Sequence, residues 1–229
     1  VSASLVARGL ERQLRARGEL IAAGRAALGW KAAFGAPTFL ERFGLSGPVI
    51  GFMTDASLLE TGCKVDVSAW SRAVAEPEVA AYLSDDIQAH SDESAVRSAI
   101  SALGPAIELA DIDLPLDDLE EIVAGNIFHR HVILGDRDRA RERGRLDGLE
   151  ARIRLGGDEV ARTDRLEELT GRLVEVIAHL AKLLGEHGER LRAGDVVICG
   201  SVVPPITLTP GLSVEFDLHP LRPISVHAT

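Results

Sequence analysis

Three glutamates, Glu76, Glu78 and Glu108, are the side chains best placed by type and context to hold a metal ion. They stand in Ala75-Glu76-Pro77-Glu78-Val79-Ala80 and in Gly104-Pro105-Ala106-Ile107-Glu108-Leu109-Ala110, among small and apolar neighbours. An ionised carboxylate is costly to bury there without a partner. A shared divalent cation removes that cost. Three carboxylates and no thiolate favour a hard, oxygen-preferring ion, Mg²⁺ or Mn²⁺. On a strand, residues i and i+2 point to one face, so Glu76 and Glu78 can converge on one ion. Glu108 can add a third ligand from a separate strand. Pro77 lacks an N–H, which makes the first strand an edge or an irregular one at that point. Taken alone the pattern is a weak signal, because carboxylates are mostly solvated surface groups.

The elements that must position these residues are legible in outline. Residues 4–28 carry Leu5, Val6, Leu10, Leu14, Leu20 and Ile21 at helical spacing, and a strand follows at 30–34. Residues 39–43 form a short helical turn closed by Gly44, and 48–83 read as short strands with turns. A helix is predicted over 92–103, capped by Ser91 or Asp92, and a buried strand over 106–109. Further helices are predicted over 116–124 and 166–186, the latter with Leu169, Leu173, Val176, Ile177, Leu180 and Leu184 on one face. Strands are expected at 131–134, 196–200, 206–209 and 213–218, with a hairpin around Gly156-Gly157-Asp158. The alternating charges of 136–145 read as a solvated loop. No repeat or long linker divides the chain. It reads as one α+β domain over 1–229, with a large mixed, mostly antiparallel sheet flanked by helices and 4–28 as a leading helix.

Composition restricts the partners. The chain has 229 residues, 46% hydrophobic and 26% charged, and a formal charge of −10. That balance argues against nucleic acid or an anionic membrane as the main partner. An anionic substrate needs a local positive centre, which a bound cation provides. Cys63 and Cys199 have no metal or redox spacing and are read as reduced thiols. No apolar run reaches the roughly 18 residues of a membrane span, and no signal peptide is recognisable, so a cytoplasmic location is expected.

Five words in order give the glutamates a context. They are Gly29-Trp30-Lys31, Glu76-Pro77-Glu78-Val79-Ala80, Pro105-Ala106-Ile107-Glu108-Leu109, Val123-Ala124-Gly125-Asn126, and the run from Leu191 through Gly194-Asp195 to Cys199-Gly200. In these the chain resembles the fumarylacetoacetate hydrolase superfamily, in its 2-oxo-4-pentenoate hydratase and 4-oxalocrotonate decarboxylase branch, from about residue 10 onward. The resemblance implies a β-roll-like fold and one Mg²⁺ or Mn²⁺ on Glu76, Glu78 and Glu108. It implies a small anionic 2-oxo acid as substrate, chelated through its carboxylate and 2-oxo oxygen, and a homo-oligomer. Lys31 and Glu76 become the catalytic candidates, and Asn126 and Ser201 the substrate-binding ones. Lys31 lies among Trp30, Ala32, Ala33 and Phe34. Desolvation there lowers a lysine pKa and suits acid/base work; alternatively the lysine stays charged and pairs with a metal-binding glutamate or the substrate.

The chain also departs from the family pattern. Where relatives carry a D-N-A-S-x-G-like segment, it has Gly125-Asn126-Ile127-Phe128-His129-Arg130, so a small polar wall becomes bulky and basic. Thr170-Gly171-Arg172 replaces a G-H-P-like word. On a strand His129 and His131 share a face and Arg130 takes the other. A histidine there can act as a base, and Arg130 can clamp a second carboxylate. Ser201 and Thr207 follow the Gly200 turn, where relatives place a substrate-contacting loop. The expected activity is that of a metal-dependent hydratase-type lyase working through an enolate. A 2-oxo acid decarboxylase, an acylpyruvate-type C–C hydrolase and a non-catalytic partner subunit are the alternatives.

Overall fold

The computed structural model describes residues 2–229. In chain order, helix α1 (Ser2–Ala22) precedes strand β1 (Ala27–Ala33), α2 (Pro37–Phe43), β2 (Val49–Thr54), β3 (Leu58–Leu59), β4 (Cys63–Val65) and β5 (Ala73–Leu83). Then come α3 (Glu93–Ala99), β6 (Ile100–Asp111), α4 (Leu119–Ala124) and β7 (His129–Leu134). The hairpin β8 (Glu150–Leu155) and β9 (Asp158–Thr163) leads to α5 (Leu173–Glu186). The chain closes with β10 (Val196–Ser201), β11 (Ile206–Thr207), β12 (Ser213–His219) and β13 (Ile224–Ala228).

The strands form two sheets. An eight-stranded sheet runs β2-β1-β10-β5-β6-β7-β3, with β11 also paired to β5; a five-stranded sheet runs β4-β13-β12-β8-β9. Three pairings are parallel, β1 with β10, β3 with β7 and β4 with β13. The other pairings are antiparallel, as expected for this α+β fold.

Of the boundaries that differ from the sequence-based reading, three helix ends have a clear local reason. Helix α1 stops at Ala22 rather than 28, with Gly24 in the left-handed region at φ 94°. Helix α3 has the expected cap, Asp92 accepting the Ala95 N–H at 2.8 Å, but ends at Ala99. Residues 100–103 join β6 instead, because the opposing residues of β5 offer them a ladder. Helix α5 begins at Leu173, not 166. Gly171 breaks the segment at φ 88°, and the Glu167 carboxylate accepts the Leu173 N–H at 2.7 Å. Strand β13 was not foreseen, since Pro220 and Pro223 interrupt its approach.

The long β5–β6 pair is the axis of the molecule. Alternate residues Ala75, Val79, Ala81, Ile107 and Leu109 join the main core. The opposite face carries Ala80 and Ala106, which pack with Met53, Val132, Val196 and Ile198 in a smaller apolar cluster. Glu76 and Glu78 share that second face by parity with Ala80. Cys63 and Cys199 are unbridged, and no helix among the described residues is long and apolar enough to cross a membrane.

Candidate metal centre and its cavity

The β5–β6 register brings the three glutamates together. Glu76 is directly opposite Glu108, and Glu78 is opposite Ala106. Directly opposed residues share a face, as do i and i+2, so all three carboxylates converge. One oxygen from each lies within 4.8 Å of the others. Glu78 and Glu108 are each 1% exposed, while Glu76 is partly buried and faces a cavity. Pro77 is not on an edge, because β5 lies between β10 and β6. It is at an irregularity: the β10 register shifts between Ile198 and Ser201, and the Pro77 carbonyl accepts from Val202 at 2.9 Å. The missing N–H therefore falls where the ladder is already broken. The same break turns the Gly200 N–H onto Glu78, at 2.6 Å. Gly200 has φ 96°, and a Cβ there would lie 2.7 Å from the Thr170 side chain.

Lys31 reaches the glutamates from β1. It is in register with Ile198 and 1% exposed; its ammonium ion-pairs with Glu108 and donates to the Ile127 carbonyl at 3.1 Å. Gly51, opposite Lys31 on β2, makes room for it, since a Cβ there would be 2.8 Å from the lysine Cγ. Of the two roles open to this lysine, the geometry displays the ion pair. His129 Nδ1 also contacts Glu108, at 2.8 Å.

Burial, then the charge of Glu108, pushes the Glu76 carboxyl up to about 7, with Lys31 partly opposing the rise. Burial, then the Glu108 and Glu76 charges, holds Glu78 well above the usual carboxylate range. For Glu108 burial also acts upward, but the Lys31 ammonium and His129 outweigh it and its pKa is lowered. Three carboxylates against one ammonium leave a deficit of two positive charges. Oε2 of Glu108 is buried without a hydrogen-bond partner among the described residues. A divalent, oxygen-preferring cation fits both the charge and the orphaned oxygen.

The cavity beside the glutamates measures about 320 Å³. Phe34, Phe39 and Phe128 give it an aromatic wall, and Lys31, Glu76 and Glu78 lie at its polar end. The expected bulky wall is therefore present at Phe128, but the expected basic one is not. Arg130 does not line the cavity; its guanidinium lies 2.6 Å from Asp113 and 3.6 Å from Asp111. Nor do His129 and His131 share a face. A bulge opposite Leu109 and Ala110 puts His129 in register with Ala110 and His131 with Leu109, on opposite faces. His131 stacks on Trp70, with ring centroids 6.2 Å apart.

Ser201 lines the cavity, and its hydroxyl donates to the Val203 carbonyl at 2.6 Å. Asn126 does not line it. Its amide accepts the Phe52 N–H at 2.8 Å and donates to the Phe52 carbonyl at 2.9 Å. Asn126, Ile127 and Phe128 all have positive φ, and this clamp holds that turn against β2. Replacing Asn126 with alanine is expected to cost about 1–3 kcal/mol, because both Phe52 groups lose their partner. Urea unfolding checks it; an unchanged midpoint would show that the clamp contributes nothing. The lining also includes Arg72 and Thr170, which the sequence reading set in a strand-rich and a helical segment without assigning either to a site.

Comparison with known proteins places this geometry. Residues 38–225 match the family model described as fumarylacetoacetate (FAA) hydrolase C-terminal. The chain belongs to the fumarylacetoacetate hydrolase family. The match includes all three glutamates, while Lys31 precedes it. Among curated relatives, 4-oxalocrotonate decarboxylase of Pseudomonas sp is 22% identical over 209 residues, covering 88% of this chain and 78% of the relative. The Pseudomonas putida enzyme of the same name is 25% identical over 191 residues, covering 81% and 71%. Among solved structures, 4-oxalocrotonate decarboxylase from Pseudomonas putida G7, complexed with magnesium and adipate, superposes with a TM-score of 0.84 at 22% identity. That match covers 95% of this chain and 83% of the other. Fumarylpyruvate hydrolase from Pseudomonas aeruginosa, with Mn²⁺ and pyruvate, gives 0.68 at 14% identity, covering 90% and 89%. These likenesses establish the fumarylacetoacetate hydrolase fold for the chain.

Proposed function

We propose that this member of the fumarylacetoacetate hydrolase family is a divalent-metal-dependent lyase acting on a 2-oxo acid, with decarboxylation as its reaction. The observation that carries the reading is the buried cluster of Glu76, Glu78 and Glu108, short by two positive charges, at the polar end of an apolar cavity. These three residues would hold Mg²⁺ or Mn²⁺. A cation there supplies an electrophilic centre that favours negative charge developing on a 2-oxo oxygen.

The chain's own residues supply the rest. The Gly200 N–H fixes one oxygen of Glu78, and Lys31 with His129 fixes Glu108, so two of the three carboxylates are held before anything binds. Lys31 puts its N–H groups at the head of the cavity, where they can orient a substrate oxygen or deliver a proton to a developing carbanion. Phe34, Phe39 and Phe128 exclude water, which suits loss of uncharged CO₂ more than addition of water. The names of the two curated relatives support decarboxylation.

One contact favours a second reading. C–C hydrolysis needs an activated water, and His129 sits 2.8 Å from Glu108. The test is to incubate the Mn²⁺-loaded protein with 2-oxo acids, 2-hydroxydienoates and acylpyruvates, following CO₂ release and enone absorbance. CO₂ release from a 2-oxo acid is the expected outcome. Two carboxylic acid fragments without CO₂ would replace it by the hydrolase. No turnover together with no metal binding by calorimetry would overturn both.

A further inference from the structure

We propose that a pocket at the opposite end of the β5–β6 pair from the glutamates is a second binding site, built for a small molecule that carries a diphosphate group. The pocket measures about 560 Å³, and Arg137, Arg139 and Arg143 are among its lining side chains. Ala102 of β6 also lines it, six residues from Glu108 and on the order of 20 Å away along the strand. The site is therefore separate from the glutamate cluster and does not depend on the reading of that cluster.

The arginines of the charged run 136–145 divide into two sets. Two of them hold the segment to itself. Arg141 donates to the Asp147 carbonyl and lies 3.5 Å from Asp138, and Arg145 donates to the Ala140 carbonyl at 2.5 Å. The three that line the pocket make no ion pair among the described residues. Arg137 lies over the Tyr82 ring, 5.5 Å from its centroid, a contact that holds the guanidinium without neutralising it. Arg143 donates to the Ser98 hydroxyl at 3.2 Å, which uses one of its five N–H groups and leaves the hydroxyl proton free to donate. The exposed Arg139 guanidinium has neither an ion pair nor a hydrogen bond among the described residues. The carboxylate of the lining is Glu142, so three guanidinium groups face one carboxylate, an excess of two positive charges. This excess stands out in a chain whose formal charge is −10.

The backbone of the segment is held to present these groups. Arg143 has φ 63°, a region disfavoured for a residue with a Cβ, and the Arg97 guanidinium donates to its carbonyl at 3.2 Å. Such strain persists where the surroundings over-determine it, as they do at ligand clamps. Three converging guanidinium groups repel one another until an anion joins them. Each presents a fork that matches phosphoryl oxygens with two parallel hydrogen bonds. Three forks and an excess of two charges exceed the needs of one orthophosphate and suit two linked phosphoryl groups. Nucleic acid fits less well, since it calls for an extended basic surface and this one is a concave patch on an acidic protein.

Calorimetry on the metal-free full-length chain tests this, because a metal at the glutamates would itself bind the probe. The probes are inorganic pyrophosphate, ADP and orthophosphate, at physiological ionic strength, where scattered surface charges are screened. Pyrophosphate is expected to bind with a Kd below about 1 mM, at least about 10-fold more tightly than orthophosphate. Arg139→Gln and Arg143→Gln should each weaken it by about 10-fold, and Arg143→Lys by less. Arg8→Gln, the same charge change on α1 outside the pocket, should leave affinity within about twofold. Arg139 and Arg143 are exposed, so melting temperatures of their variants should match the wild type and exclude misfolding as the cause. ADP binding more tightly than pyrophosphate would assign the diphosphate to a nucleotide, and the reverse order to free diphosphate; either ranking supports the site. No pyrophosphate binding, equal affinity for orthophosphate, or an equal loss in Arg8→Gln would overturn it. Binding of a DNA duplex without binding of pyrophosphate would replace it with a nucleic-acid surface.

Discussion

Glu108→Gln is expected to destabilise the metal-free protein and to abolish divalent-metal binding, whereas Glu78→Gln should abolish binding but stabilise the metal-free protein. The two carboxylates are equally buried, each 1% exposed, and both belong to the same cluster. Their partners differ. Glu108 compensates Lys31, which is itself 1% exposed, and also takes the contact from His129. A neutral glutamine leaves a buried ammonium without its counter-charge, a loss of about 3–5 kcal/mol. Among the described residues the Gly200 N–H is the hydrogen-bond partner of Glu78, which faces the charges of Glu108 and Glu76 with Lys31 only partly opposing them. Neutralising it removes repulsion at little cost, because a glutamine oxygen can still accept from Gly200. For metal binding the two changes are equivalent, each removing an anionic ligand, and affinity should fall by more than about 100-fold. Titration calorimetry with Mn²⁺ and thermal unfolding without metal read the two effects separately. Equal shifts of melting temperature in the two variants would show that the Lys31 pair is not selective for Glu108. Retained Mn²⁺ affinity in either variant would remove that residue from the ligand set.

The parts of this site that were legible in the sequence are those decided by local spacing. Glu76 and Glu78 are two apart in a segment rich in strand formers, and the period of a strand is enough to make them converge. The third carboxylate needed more. Whether Glu108 joins them depends on the register of β6 against β5, fixed over eleven opposed residues and through the intervening helix α3. A shift of one residue would have put Glu108 into the main core, and no local signal reports such a shift. Family resemblance supplied that answer. Asn126 shows the opposite case: its place in a recognisable word suggested contact with substrate, but its partners are on β2, 74 residues away in sequence. The bulge that separates His129 from His131 was invisible for the same reason, since it is a property of the pairing and not of β7 alone. Helix ends were misread where two local tendencies compete. Residues 100–103 continue an acceptable helix, yet the ladder offered by β5 decides their state.

Metal-free protein should lose stability as pH rises from about 4.5 to about 7, and added Mg²⁺ or Mn²⁺ should cancel the loss. In the unfolded chain Glu76 has its ordinary pKa near 4.5, while in the folded protein burial and the Glu108 charge raise it to about 7. Between these values the folded state holds the proton that the unfolded state has released. The unfolded state then binds fewer protons, so stability falls with rising pH across this window and levels off above it for this group. A pKa difference of about 2.5 corresponds to about 3 kcal/mol. Glu78, shifted in the same direction, extends the decline to higher pH. Glu108 acts oppositely. Its lowered pKa contributes stability above the ordinary carboxylate range, and that contribution is lost as pH falls through the lowered value. The cluster therefore favours the metal-free fold most in mildly acidic solution, near the ordinary glutamate pKa. A cation must displace the protons on Glu76 and Glu78 before it binds, so binding at pH 6 should release protons and weaken as pH falls further. Thermal unfolding from pH 4.5 to 8 with and without Mn²⁺, and calorimetry in buffers of different ionisation enthalpy, read both consequences. A metal-free stability that rises steadily with pH, or binding at pH 6 without proton release, would show that Glu76 and Glu78 are already ionised when the metal arrives.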